Sequence, residues 1–193
     1  MSTASRPGAS EETPIVTENP TETNAKSDHI VTFHEAHATE IDAATLYRIL
    51  KLRVDVFILE QRAFFADLDG RDLVPSTRLA WAAAGDEVLA TLRVLDDAGT
   101  RRHAVHGDDA PLDDASDAIV IGRVATAESA RGRGIARVLV QRAVDAHRLR
   151  PIRIEAQERL SGWYATFGFV GCGPTYIEDD ILHLPMLRPA DER

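Results

Sequence analysis

The sequence predicts an α/β layered fold, a mixed sheet flanked by helices, and three observations carry that prediction. Helix-period and β-branched stretches alternate along most of the chain, the pattern of layered α/β architectures. The run AIVIGRVAT, ending at Thr126, is followed by a loop rich in Arg and Gly. Beyond that loop Ala136, Leu139, Val140, Ala143, Val144 and His147 recur at the spacing of one buried helix face. Lastly, Arg78 to Ala84 and Glu87 to Leu95 read as a hairpin around Gly85-Asp86, which brings antiparallel pairing into the sheet.

Taken in order, residues 1 to about 27 are rich in Ser, Thr, Pro and Glu and lack periodicity. Such a segment cannot bury enough apolar surface to offset its ordering entropy and reads as a disordered tail. Ile30 to Phe33 is a first strand. Asp42 caps a helix whose apolar stripe reads Leu46, Ile49, Leu50, Val54, Phe57 and Ile58, with Arg53 inside it. A guanidinium on a buried face is costly unless paired, so Arg53 calls for a carboxylate or phosphate partner; snorkelling from the edge of the face is the alternative.

Glu60-Gln61 then opens a long loop, FFADLDGRDLVPS, dense in Asp. Its Asp67, Asp69 and Asp72 lack the downstream Glu of a calcium loop, so no metal is expected, and they are candidate partners for Arg53, Arg93 and Arg123 instead. In the second hairpin strand Val88, Ala90, Leu92 and Val94 share one face, and Leu89, Thr91, Arg93 and Leu95 the other. Thr100 to Ala118 reads as a solvated connector, its His103 and His106 lacking a third ligand.

After the central strand, turn and helix come a short strand at Pro151 to Glu155 and a helix with Leu160, Trp163, Tyr164 and Phe167 on one face, ended by Gly168. Phe169 to Cys172 and Asp180 to Leu187 are two more strands. The domain is thus expected over residues 28–188, with 189–193 as a C-terminal tail.

Composition narrows the partners. The 193 residues carry 22 basic and 31 acidic side chains, a formal net charge of −9, which argues against nucleic acid or an anionic membrane. Cys172 is the only cysteine, so no intrachain disulfide forms, and its setting in GFVGCGP suits a small residue near a turn. No apolar run is long enough to span a bilayer, and the N-terminal residues lack a signal peptide's apolar core, so the cytoplasm is the expected location.

The turn at Arg131, Gly132, Arg133, Gly134, Ile135 and Ala136 sits at a helix N-terminus, where unpaired N–H groups and the positive dipole end receive a phosphate or pyrophosphate. A Walker A loop would need Gly-Lys-Ser/Thr where Gly134, Ile135 and Ala136 stand. The dinucleotide fingerprint would need a third glycine where Arg137 stands.

What this turn does resemble is the Arg/Gln-x-x-Gly-x-Gly/Ala signature of the GNAT superfamily of acyl-CoA-dependent N-acyltransferases. Tyr164-Ala-Thr-Phe-Gly168-Phe169 resembles the family's later Tyr-x-x-x-Gly-Phe. Leu52-Arg53-x-x-x-Phe57-x-x-Glu60-Gln61, Asp67-x-Asp69-Gly70-x-Asp72, Ile121-Gly122-Arg123-Val124 and Glu178-Asp179-Asp180-Ile181-x-His183 resemble its ElaA-like branch, although Asp180 stands where the branch carries Gly.

The resemblance implies a mixed, mostly antiparallel central sheet with a splayed strand pair holding CoA. Main-chain groups of Val124, Ala125 and Thr126 would meet the pantetheine arm, Arg131 to Ala136 would wrap the pyrophosphate, and Gln157 would touch the donor. It also implies acetyl-CoA as acetyl donor and a small-molecule or peptide amine as acceptor, with a homodimer left open. Tyr164 matches the family's acid. The base is open between Glu60, His183 and a water chain. Arg53, Asp69, Asp72, Arg93 and Arg123 form an acceptor site or a supporting charge network. The same charges, with Phe57, resemble the cluster of acyl-homoserine-lactone synthases, although Val120 replaces an acidic residue there. A CoA-sensing module without turnover is the non-enzymatic alternative.

Overall fold

The computed structural model describes residues 30–96 and 117–192. The N-terminal tail at 1–27, the His103 and His106 pair and nearly all of the connector lie outside them. The strands are β1 (Val31–Ala36), β2 (Thr77–Ala84), β3 (Glu87–Leu95), β4 (Ile119–Thr126), β5 (Ile152–Gln157), β6 (Val170–Gly171), β7 (Tyr176–Glu178) and β8 (Ile181–Arg188). The helices are α1 (Ala43–Val54), α2 (Ile135–Ala146) and α3 (Ser161–Ala165). One sheet runs β1-β2-β3-β4-β5-β8-β6, with β7 paired to β8. Every pairing is antiparallel except β4 with β5. The crossover that this parallel pair requires is α2.

Helix α1 begins where Asp42 Oδ1 accepts the N–H groups of Ala44 and Thr45, at 3.1 and 3.0 Å. Its buried residues are Ile49, Leu52 and Arg53, followed by Val56, whereas Leu46, Leu50, Val54, Phe57 and Ile58 are only half-buried. The buried stripe is therefore rotated from the expected one. The chain offers two overlapping apolar stripes. Both contain Arg53; the observed one wins by packing Ile49, Leu52 and Val56 against β2 and β3, while the guanidinium finds its partners inside. Past Val54 the helix widens into a π-helical segment, Asp55–Glu60, which closes with the Gln61 N–H on the Val56 carbonyl. Such wide turns concentrate at functional sites.

The β2–β3 hairpin turns on Gly85, whose φ of 59° is the left-handed conformation that a tight hairpin needs. A bulge where Ala82 and Ala83 face Ala90 and Val88 inserts Leu89 into the ladder. Val88 consequently packs toward α1, and Leu89 joins Ala90, Leu92 and Val94 on the α2 side. The strict alternation read from the sequence fails at Val88 and Leu89, which exchange faces.

Two cores result. On one face α2 lays Ile135, Leu139, Val140, Ala143 and Val144 against β3, β4 and β5, joined by Tyr164, Phe167 and Phe169. Ala136 is half-buried and His147 caps the helix, so Ile135 supplies the first-turn contact expected of Ala136. On the other face α1 packs Ile49 and Leu52 on Leu79, Trp81, Ala83 and Val88. Each fully buried aliphatic here stabilises the fold by about 1.5–3 kcal/mol.

At the C-terminal side the helix expected to carry Leu160, Trp163, Tyr164 and Phe167 is a 3-10 turn, Glu158–Leu160, followed by the short α3. The turn that follows α3 ends at Gly168, φ 88°. The predicted strand at Phe169 to Cys172 shrinks to two residues. In exchange β7, not foreseen in the sequence, pairs with β8 through a two-residue turn in which Asp179 and Asp180 both have positive φ, 49° and 61°. The residues past β8 are tied down by the Asp191 N–H on the Arg148 carbonyl, at 2.7 Å.

Candidate functional site

The sheet comes apart beside the turn at Arg131 to Ala136. Strands β4 and β5 pair only at Ile119 with Ile152 and Val120 with Arg153, so the β5-facing edge of β4 from Ile121 to Thr126 has no strand beside it. A bulge drives the divergence. Opposite β3, the ladder jumps from Arg93 with Gly122 to Thr91 with Ala125, leaving Arg123 at φ 53° in the extra position. Bulges bend a strand and increase its twist. Val124, Ala125 and Thr126 thus line a cleft between two strands, with backbone groups turned toward it.

That cleft runs into the Arg131 to Ala136 turn. Gly132 and Gly134 have φ of 72° and 76°, and Gly134 is the N-cap of α2. No heavy atom comes within 4 Å of a Cβ built on either glycine, so the space over the turn is open. Open space, unpaired first-turn N–H groups, a positive helix end and the exposed Arg131 and Arg133 together suit a pyrophosphate. The residues present therefore fit the CoA group that the sequence implies.

Arg131 is already engaged. Its Nε and one terminal nitrogen each lie 3.3 Å from the Thr126 carbonyl, and the latter also donates to Glu60 Oε2. The Arg131 hydrogen bond holds the Glu60 carboxyl below its ordinary range. Beside it, Gln157 Nε2 donates to Gln61 Oε1 at 2.9 Å, and Gln157 Oε1 accepts from Arg159 at 2.7 Å. These contacts tie the end of the π-helical segment to the end of β5. Gln61, quoted in the motif but given no role, is one residue that sequence reasoning missed.

Tyr164 is 6% exposed, within the α2-side core and edge-on to Trp163 and Phe169. Burial pushes its hydroxyl up to about 12, so the phenol keeps its proton at neutral pH. His183 lies on the other face of the sheet, since Arg153, Glu155 and Gln157 alternate with the buried Ile152, Ile154 and Ala156, and Gln157 pairs with His183. Its Nδ1 is 2.9 Å from the Ile181 carbonyl. A carbonyl only accepts, so Nδ1 carries a proton, and in the neutral form of such a ring the lone pair sits on Nε2. Tyr176, from the unforeseen β7, stacks on this ring at 5.7 Å and donates to Glu155 Oε2 at 3.0 Å.

The five charged residues expected at an acceptor site or support network pair with one another and with Asp67. Arg53, wholly buried, donates from Nε to Asp67 Oδ2 at 3.0 Å, from Nη2 to the Asp67 carbonyl at 2.8 Å and from Nη1 to Asp72 Oδ1 at 2.7 Å. Arg93 grips Asp69 with two bonds of 2.7 and 2.8 Å and reaches Asp72 at 3.3 Å. Arg123 Nε lies 2.9 Å from Asp67 Oδ1, close enough for an ion pair but off line for a hydrogen bond, and its guanidinium stacks 4.7 Å over Phe65. Three arginines thus face three aspartates. Burial alone would raise the Asp69 carboxyl, but the Arg93 bonds outweigh it and hold it at about 2. Burial lowers Arg123, helped by the neighbouring Arg93 charge. Among the described residues no group of three or more His, Cys, Asp or Glu side chains could hold a metal, and no helix is long and apolar enough to cross a membrane.

Known proteins resemble this chain in sequence and in fold. The family described as "Acetyltransferase (GNAT) domain" matches residues 112–188. The UPF0039 protein Rv2851c of Mycobacterium tuberculosis is 40% identical over 79% of this chain and 89% of its own length. Protein ElaA of Escherichia coli is 30% identical over 82% and 97%. Among solved structures, an acyl-CoA N-acyltransferase from Pseudomonas aeruginosa superposes with a TM-score of 0.71 at 33% identity, covering 82% of this chain and 99% of that one. The crystal structure of Escherichia coli ElaA gives 0.67 at 29%, with the same coverage. The AHL synthase LasI, 17% identical with a TM-score of 0.64 over 82% and 89%, shares the fold alone. A sheet split beside a glycine-bearing strand-to-helix turn, together with these relatives, places the chain in the GNAT acyltransferase superfamily, within the family of ElaA and the UPF0039 proteins.

Proposed function

We propose that the protein is an N-acetyltransferase that carries an acetyl group from acetyl-CoA to a primary amine by direct attack in a ternary complex. The observation that carries this reading is the cleft between β4 and β5, which ends at the open turn of Gly132 and Gly134. The exposed edge of Val124 to Thr126 offers main-chain partners to an amide-bearing arm, and the α2 N-terminus offers N–H groups to its phosphates. Acetyl-CoA supplies the activated acyl carbon, whose bond to sulfur breaks as the bond to the amine nitrogen forms.

Of the two base candidates, geometry favours His183. Its Nε2 lone pair can take the proton that the acceptor ammonium must lose, whereas the Glu60 carboxylate, paired with Arg131 in this structure, is suited to holding the ammonium rather than deprotonating it. Tyr164 holds a proton that the departing sulfur needs, and its burial keeps that proton in place until negative charge develops. The Arg53, Asp69, Asp72, Arg93 and Arg123 group supports a scaffold role. Its charges neutralise one another, so they do not favour an acyl-homoserine-lactone-synthase-like activity.

The test is the thermal unfolding midpoint with acetyl-CoA, CoA and S-adenosylmethionine in parallel, followed by thiol release across an amine panel. A ligand that binds only the folded state raises the midpoint as its concentration rises. A shift with acetyl-CoA and thiol release with an amine is the expected result. A shift without turnover would favour a CoA-sensing module, S-adenosylmethionine consumption with acyl donors the synthase-like activity, and no shift with either CoA species would sink the reading.

A further inference from the structure

The ion pair between Arg131 and Glu60 joins residues 71 positions apart, one from the phosphate turn and one from the last turn of the π-helical segment. It spans the mouth of the cleft. We propose that Glu60 is an internal anion that holds Arg131 until the pyrophosphate of acyl-CoA displaces it, so that donor binding frees this carboxylate for the acceptor's ammonium. The inference rests on the acyl-CoA reading of the turn.

The arrangement is one that a phosphate can undo. The Arg131 and Glu60 side chains are 41% and 47% exposed, and exposed pairs contribute little. A guanidinium is a planar fork suited to phosphate oxygens, and a pyrophosphate brings more charge than one carboxylate together with the turn's own N–H donors. The same Arg131 side chain covers the Thr126 carbonyl, at the strand edge where the donor's arm is expected. Displacing it uncovers both at once.

The charges around the pair are few. Glu60 faces Arg131 from the turn and, at longer range, Arg159 from the segment after β5, while Glu128 faces Arg131. Once Arg131 has left, Arg159 still favours the ionised carboxylate. At neutral pH Glu60 therefore changes partner rather than charge. It stands beside Gln61, which is bonded to Gln157, next to the face that carries His183. An ammonium entering there meets a free carboxylate only after the donor is seated, which sets donor before acceptor.

The experiment is a double-mutant cycle on CoA affinity, by titration calorimetry, with wild type, Glu60→Gln, Arg131→Gln and the double variant, each first shown to melt cooperatively. Glu60→Gln is expected to bind CoA about two- to fivefold tighter, the span that breaking an exposed pair covers. Arg131→Gln is expected to bind it more weakly, and adding Glu60→Gln to that variant to change nothing. Equal or weaker binding by Glu60→Gln alone overturns the proposal. So does a gain that survives without Arg131, which would mean that Glu60 merely repels phosphates through space. Binding of CoA by none of the four would instead overturn the donor site itself, and the proposal with it.

Discussion

Replacing Arg53 by Met keeps most of the side-chain volume and removes the charge from the centre of the Arg–Asp cluster. The guanidinium is buried, and the substitution takes one hydrogen bond from Asp72, those on the Asp67 carboxylate, and one from the Asp67 carbonyl. Asp67 retains only the off-line Arg123 contact and Asp72 only the 3.3 Å bond from Arg93. Breaking a buried pair by removing one partner costs about 3–5 kcal/mol, because the remaining charge stays buried and uncompensated. For a domain of this size that lowers Tm by roughly 6–20 °C. Urea unfolding at pH 7 is the assay, with an unchanged slope showing that stability alone has moved. Arg53→Met/Asp67→Asn, which restores neutrality, should recover part of the loss. A loss under about 1 kcal/mol in the single variant, or no recovery in the double, would refute the reasoning.

Tyr164→Phe should lower turnover by roughly a hundredfold, the low end of a general acid's contribution, while calorimetric acetyl-CoA affinity stays within about twofold of wild type. Unchanged turnover at saturating substrates removes Tyr164 from the chemistry. His183→Gln should cut kcat/KM by about 10²–10⁴; an unchanged kcat/KM assigns the base elsewhere. The Asp69 carboxyl is lower in the folded protein, at about 2, than its ordinary 3.8, so its contribution is complete above that value and is lost as pH falls toward about 2. Urea midpoints at pH 7, 4 and 3 should be flat over the first step and drop over the second. Asp180→Gly, which relieves a positive φ of 61°, should stabilise by up to about 1 kcal/mol, read as a small rise in Tm.

The turn at Arg131 to Ala136 was legible because it is local. Its glycines, its arginines and the helix period after it all lie within one short stretch, and the structure puts Gly132 and Gly134 at positive φ as such a turn requires. The burial of Arg53 was legible for a similar reason: a charge inside an apolar stripe demands a partner, and the nearby aspartates were the available ones. The bulges at Leu89 and Arg123 were not, because an inserted residue shows only in what the partner strand does, and period-2 counting assumes it absent. Nor was the choice between the two stripes of α1, which packing against β2 and β3 decides. Tyr176 escaped because β7 is three residues long and exists only by pairing with β8. The Glu60 to Arg131 pair lies beyond any local pattern, since neither residue's neighbourhood points to the other.

The two residue pairs that join β4 to β5 have a mechanical meaning. Four strands on one side and the β5-β8-β6-β7 group on the other are sutured by a few backbone bonds at one end and by the packing of α2 beneath. Such a sheet behaves as a clothes-peg: the short seam is its spring, and the far ends part or approach with little change in either jaw. Whatever fills the gap lends its own amides to the ladder and turns two jaws into one beam. On the proposed reading, a bound donor completes the sheet along the line where its own backbone pairing is thinnest.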